Sequence, residues 1–238
     1  MTDEEIRLHS IEFAKKNKKS IAQKLTDPAL YAPEQYPVSV FMAGSPGAGK
    51  TEFSKGLIDS LEKNKEHRVF RIDGDEIRSL IPGYTGSNSR LFQGAISLVV
   101  EKIHDSLLHN KQNFVFDGTF SKYEKAQDNI RRSLDHKRII FVFYIYQKPE
   151  IAWKFTQERE EKEGRNIPKA AFIEEFFSAR ESVNRIIDAY KDSIYVFLVK
   201  KDYSTNTVEY VKNLTLENKR IDDYIQDAYT KDVLEKTL

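Results

Sequence analysis

Residues Gly44, Ser45, Pro46, Gly47, Ala48, Gly49, Lys50 and Thr51 satisfy the pattern G-x-x-x-x-G-K-[ST], and the chemistry it serves is the holding of a polyphosphate. Glycines let the backbone turn its N–H groups inward around a phosphate, and a helix that follows adds the positive end of its dipole. In such a loop Lys50 reaches the β- and γ-phosphates of a nucleotide, while the Thr51 hydroxyl contacts the Mg²⁺ that bridges them. Further carboxylates stand at the ends of two other apolar runs. In Arg71-Ile-Asp-Gly-Asp-Glu76, an aspartate facing the γ-phosphate can take a proton from an attacking hydroxyl or hold the metal through water. Asp75 is the candidate base, and Asp73 is suited to cap a helix starting near Glu76. Asp117, in Phe114-Val-Phe-Asp-Gly-Thr119, fits a metal acid and a holder of substrate hydroxyls equally well. Arg159 and Arg165 lie in a stretch whose Gly164 and Pro168 suggest a lid-like loop. An arginine supplied there stabilises charge on a transferring phosphoryl group. The same two side chains are also spaced to pair with Glu158, Glu160, Glu161 and Glu163 on a solvated surface.

These groups need a scaffold that brings strand ends to one edge. Val38–Ala43, which runs directly into the glycine-rich loop, is short and mostly apolar, as expected of a strand buried on both faces of a parallel sheet. Similar runs are 69–72, 114–116, 139–145 and 194–199, and the segments between them, such as 51–63, 89–109 and 170–190, carry helical periodicity. Strands alternating with helices predict a doubly wound α/β fold with a mainly parallel sheet of about five or more strands. Right-handed crossovers place the strand C-termini, and hence a ligand, at a common edge. Before this core, residues 4–25 read as one or two amphipathic helices, and Pro28, Pro33 and Pro37 mark a connector. After it, residues 203–210 read as strand or loop, ahead of a charged helix near 217–236.

Composition narrows the class of protein. Lys+Arg at 38 against Asp+Glu at 37 gives a net charge of +1, which argues against nucleic acid or an anionic membrane as the main partner. The lysines of KKNKK at 15–19 read as a solvated helix face. Fifteen Phe and twelve Tyr are too many aromatics for a disordered chain. The absence of cysteine excludes disulfides, thiolate metal sites and a thiol nucleophile. His9, His67, His104, His109 and His136 show no metal-binding spacing. The acidic N-terminal segment and the lack of any apolar run of ~18 residues lead us to expect a cytoplasmic protein that does not span a membrane.

Taken together, GSPGAGKT at 44–51, RIDGDEIRSLIPGY at 71–84, NFVFDGT at 113–119 and REEKEGRNIPK at 159–169 resemble, in order and spacing, the zeta toxin family of bacterial P-loop kinases over about residues 38–200. The resemblance implies one P-loop NTPase-like kinase domain over 1–238, in which 1–37 form a helical segment and connector and 201–238 an appendage. It implies ATP and Mg²⁺ as cofactors and the 3′-hydroxyl of UDP-N-acetylglucosamine, or of a related nucleotide sugar, as acceptor. It also implies toxicity through starved cell-wall synthesis, and a small helical antitoxin that blocks the nucleotide site.

Residue by residue, the resemblance makes Lys50 and Thr51 the ATP and Mg²⁺ contacts, Asp75 the general base, and Arg159 and Arg165 the arginines on the ATP phosphates. Asp73, Glu101, Asp117 and Thr119 fall on the acceptor side; spacing alone reads Glu101 as a solvated helix residue. Asp117 stands where the family has a glutamate, one methylene longer, and Ser121 where it can have an arginine. The alternatives are a P-loop kinase for a dinucleotide, a nucleoside or a polynucleotide end, and a nucleotide-dependent switch. The chain lacks the guanine-reading sequence N-K-x-D.

Overall fold

The computed structural model describes residues 1–63, 68–164, 166–202 and 207–238. Six strands form one sheet: β1 (Val38–Ala43), β2 (Phe70–Asp73), β3 (Phe114–Asp117), β4 (Ile139–Tyr146), β5 (Tyr195–Asp202) and β6 (Thr207–Asn213). Their order is β2-β3-β1-β4-β5-β6. The first five are mutually parallel, and β6 runs antiparallel along β5. All five apolar runs are strands, and the sixth follows from the segment the sequence leaves open. The chain leaves β1, crosses to the outer strand β2 and returns through β3, whereas β4 and β5 lie on the other side of β1. The loop after β1 therefore sits where the strand order reverses, the place where such sheets bind ligands.

The helices are α1 (Asp3–Leu25), α2 (Lys50–Leu61), α3 (Gly74–Arg78), α4 (Gln93–His109), α5 (Tyr123–Asp135), α6 (Pro149–Glu163), α7 (Lys169–Tyr190) and α8 (Lys231–Thr237). Residues 4–25 form one continuous helix, started by a capping box in which Thr2 and Glu5 satisfy each other's backbone N–H groups. It lies along α4, with Ile11 against Gly94. Gln112 ties the end of α1 to the sheet by donating to the carbonyls of Thr26 and Tyr31. No helix among the described residues is long and apolar enough to cross a membrane.

The charged helix expected near 217–236 is reduced to α8 and a short 3-10 turn at Ile221–Asp223. Tertiary bonds outcompete helix formation here. Asp222 accepts from Arg180 at 2.7 Å and from Asn184 at 2.5 Å, Asp227 accepts from the Tyr146 hydroxyl, and Ile221 and Ile225 are buried in the core. Burial and this bond to Asp227 together push the Tyr146 phenol up. The segment thus crosses α7 and reaches the end of β4.

His104 of α4 lies fully inside the core among aromatic rings. Its ring centroid is 5.1 Å from Phe114, 5.5 Å from Phe116 and 6.3 Å from Phe41, and neither ring nitrogen has a hydrogen-bond partner. Burial, reinforced by the nearby Arg132, pushes the imidazole down to about 2, so the folded protein holds it neutral. In the unfolded chain it titrates near 6.5. Stability is therefore complete above that pH and falls as pH drops through it, by about 1.4 kcal/mol at pH 5.5. His104→Leu should remove this component. Urea melts of wild type and variant at pH 7.5 and 5.5 check it, with the wild type losing about 1.4 kcal/mol more than the variant over that interval.

Candidate functional site

The phosphate loop is shaped by glycines that no other residue can replace without collision. Gly44 has φ +133°, and a Cβ there would meet the Ile145 carbonyl oxygen at 2.4 Å; Gly47 has φ +70°, and a Cβ there would lie 1.9 Å from the Ala152 carbonyl oxygen. The loop thus presses against β4 and against the backbone of α6. Gly49, at φ +87°, is the N-cap of α2, so the helix that begins with Lys50 points its N-terminal end into the loop. The Lys50 ammonium donates to the carbonyls of Gly44 at 3.0 Å and Ser45 at 2.7 Å, which holds it over the loop. A cradle of backbone N–H groups, a helix N-terminus, a lysine and the Thr51 hydroxyl suits a polyphosphate and its Mg²⁺. Lys201, from the end of β5, brings a second cation alongside. Its Nζ lies 3.7 Å from where a Gly49 Cβ would stand, and with Glu52, Phe53 and Thr207 it lines a cavity of about 400 Å³ beside α2.

The end of β3 is fastened to the loop. Gly44 N–H donates to the Thr119 carbonyl at 3.1 Å, and the Thr119 hydroxyl lies 2.9 Å from that of Ser121. The next residue, Phe120, takes φ +61°, a left-handed conformation that is uncommon for an aromatic residue. Asp117 is engaged: its Oδ2 is 3.0 Å from the Ser54 hydroxyl and 2.9 Å from Arg71 Nη2.

Across the sheet edge, Asp73 is the N-cap of α3, its Oδ1 accepting from the Asp75 N–H at 2.8 Å. Burial pushes the Asp73 carboxyl up, against the pull of Arg71. Asp75, in the first turn, is held from two sides. Arg78 Nη1 donates to its Oδ1 at 2.6 Å and Arg159 Nη2 to its Oδ2 at 3.3 Å. Arg78 is itself buried and fixed by Gln93 at 3.0 Å. Arg159 arrives from α6, the helix packed against Gly47, so the arginine and the phosphate loop share one support. Gly164, at φ +69°, closes α6 with a left-handed C-cap. Arg165 lies outside the described residues, as does His67.

The structure therefore joins Asp75 with Arg159, and the phosphate loop with the end of β3 and with α6. Glu101 is placed apart from them in its contacts: it sits between α4 and α5, paired with Lys125 and Arg132. Sequence reading missed Arg71, Arg78 and Ser54. Arg71 carries a weak signal, an arginine inside an apolar run, but its partners and those of Arg78 depend on strand register and on α3 starting at Gly74.

A family model described as Zeta toxin matches residues 21–215. A probable adenylyl-sulfate kinase of Aeropyrum pernix is 27% identical over 176 residues, a match covering 73% of this chain and 87% of that protein. Among solved structures, the PezAT chromosomal toxin–antitoxin system of Streptococcus pneumoniae superposes with a TM-score of 0.63 at 16% identity, over 94% of this chain and 85% of the other. The AvrRxo1-ORF1:-ORF2 complex with ATP does so with a TM-score of 0.57 at 15% identity, over 88% and 65%. At such identities these likenesses speak for the shared fold, a mostly parallel sheet flanked by helices, while the family match extends from within α1 to just beyond β6. The chain belongs to the zeta toxin family.

Proposed function

We propose that the protein is an ATP-dependent kinase for a hydroxyl of a nucleotide sugar, with the 3′-hydroxyl of UDP-N-acetylglucosamine as the acceptor. We further propose that it acts as a toxin in the cytoplasm and is restrained by a small helical antitoxin. The observation that carries the kinase reading is the clamp on Asp75: one carboxylate oxygen is held by Arg78, and the other faces an arginine borne on the helix that supports the phosphate loop. A carboxylate so fixed can take the proton of an attacking hydroxyl, and an arginine beside it can stabilise charge on the phosphoryl group in transit. Membership of the zeta toxin family supports the reading, as do a relative named as a kinase and a structural neighbour described as a toxin–antitoxin system.

In this mechanism the loop 44–51 binds the ATP phosphates, and Lys50 neutralises the β- and γ-phosphates. Thr51 holds Mg²⁺, which supplies further charge neutralisation when bound. The acceptor oxygen forms a bond to the γ-phosphorus as the bond to the β-phosphate oxygen breaks, and the hydroxyl proton passes to Asp75. Arg159 stabilises the developing charge, with Arg165 proposed as its companion. Asp73 shapes the turn that presents Asp75, while Glu101, Asp117 and Thr119 are proposed for the acceptor side. The test is transfer from ATP–Mg²⁺ to UDP-N-acetylglucosamine, read by mass spectrometry, with wild type beside Lys50→Ala. We expect a product heavier by one phosphoryl group from wild type alone, with the circular-dichroism melt of Lys50→Ala unchanged. ATP turnover without that product would overturn the acceptor, and absence of ATP binding would overturn the kinase.

A further inference from the structure

The strand register places Asp73 and Asp117 directly opposite each other at the ends of β2 and β3. Neighbouring strands lie about 4.8 Å apart, and like charges facing each other across a ladder repel. Both side chains are largely buried, 12% and 6% exposed, so water screens the pair poorly. Two such carboxylates beside a phosphate loop require a cation. In many P-loop proteins an acidic residue at a strand end helps to hold Mg²⁺, which is one of the two roles the sequence leaves open for Asp117.

We infer that Arg71 is the built-in cation of this site, standing between Asp73 and Asp117 and withdrawing Asp117 from metal binding. Its Nη2 contacts both Asp73 and Asp117 Oδ2, the latter at 2.9 Å, while Nε reaches Asp117 Oδ2 at 3.2 Å and Nη1 reaches Glu76 at 2.6 Å. With the Ser54 hydroxyl at 3.0 Å, Asp117 Oδ2 has three donors around it and is taken, and a divalent ion approaching Oδ1 would be repelled by the adjacent guanidinium. A guanidinium stays protonated, so the charge it supplies is permanent. Burial disfavours the charged guanidinium, but the carboxylates of Asp73 and Asp117 more than offset this and raise its affinity for the proton. Among the described residues no three acidic or imidazole side chains are grouped as a metal site.

The arrangement also makes Arg71 a positioning residue. Asp73 presents Asp75 through the cap of α3, and the Ser54 hydroxyl lies 3.0 Å from the Thr51 carbonyl in the first turn of α2. Arg71 thereby joins the turn carrying the proposed base to the helix carrying the phosphate contacts. The metal is left to Thr51 and the nucleotide, a point that rests on the kinase reading. The statement about Asp117 does not.

The test is Mn²⁺ titration of the nucleotide-free protein, followed by electron paramagnetic resonance. Wild type and Asp117→Asn should bind Mn²⁺ equally weakly. Arg71→Met should gain one site at least about tenfold tighter, which Arg71→Met combined with Asp117→Asn should lose, and Arg71→Lys should stay close to wild type. A wild-type Mn²⁺ site removed by Asp117→Asn would overturn the inference, as would a folded Arg71→Met without a new site. If Arg71→Met fails to fold, the affinity of wild type for Mn²⁺ in the presence of ATP decides: Asp117→Asn should leave it within about twofold, and a tenfold loss overturns the inference. None of these readings depends on phosphoryl transfer, so a failed acceptor assay leaves them standing.

Discussion

Asp75→Asn should lower kcat for phosphoryl transfer by roughly 10²–10⁴-fold while leaving the Kd for ATP within about threefold. The substitution keeps shape but leaves one accepting oxygen for the two arginines and removes the basic oxygen pair. In the proposed mechanism the ATP phosphates are bound by a different part of the chain, the loop at 44–51, so the loss should fall on the chemical step. Asp73→Asn offers the control. Its side chain caps α3 through one oxygen, asparagine caps nearly as well, and its effect on kcat should be far smaller. Steady-state kinetics with calorimetric ATP titration of both variants checks the assignment. A fall in kcat of less than about tenfold for Asp75→Asn would remove Asp75 from the role of base, and equal losses in the two variants would point to the turn as a whole.

The second large effect concerns stability and arises at the opposite edge of the sheet. Arg138 is buried, with Nε donating to Ser39 Oγ at 2.6 Å and Nη2 to the carbonyls of Val38 at 2.7 Å and Gln112 at 2.6 Å. Its guanidinium lies 4.7 Å from the centre of the Phe114 ring. No carboxylate among the described residues pairs with it, and burial lowers it to about 10. This cation works as a staple: it satisfies acceptors where β1 begins and where the chain enters β3. Arg138→Met keeps the apolar stem but orphans those acceptors, and should cost roughly 2–4 kcal/mol. For a chain of this size that lowers Tm by roughly 5–15 °C. Relief of the buried charge works the other way, so a variant melting at or above wild type would show that desolvation of the guanidinium outweighs its bonds.

The parts of this protein that could be read from sequence are those fixed by local pattern. β1 and its loop are legible because an apolar run ending in a glycine-rich turn has few other uses, and the remaining parallel strands because burial on both faces leaves each with an apolar run. Asp73 is legible as a cap from its place before a helix. β6 is less so: it is an edge strand, largely exposed, and its Thr-Val-Glu-Tyr-Val-Lys-Asn sequence lacks a clean alternation, in keeping with the irregular register between Lys200 and Lys201. Residues 217–230 carry helical charge, yet Asp222 and Asp227 are taken by Arg180, Asn184 and Tyr146, partners that no local window contains. The same holds at the site. Spacing on α6 offers Arg159 the neighbouring glutamates, whereas the folded chain brings it Asp75 across 84 positions.

The segment after β6 has a bearing on how the protein comes into being. Leu214, Ile221, Ile225 and Leu234 are core residues, and Asp227 and Tyr229 reach Tyr146 at the end of β4 and Glu150 in the first turn of α6, the helix that carries Arg159. A growing chain that has made every strand of the sheet still lacks the pieces that brace this helix. Forms ending at Asn213 lack these bonds, and because α6 supports both the phosphate loop at Gly47 and Arg159, the two are expected to settle together only after the segment that follows β6 has been made.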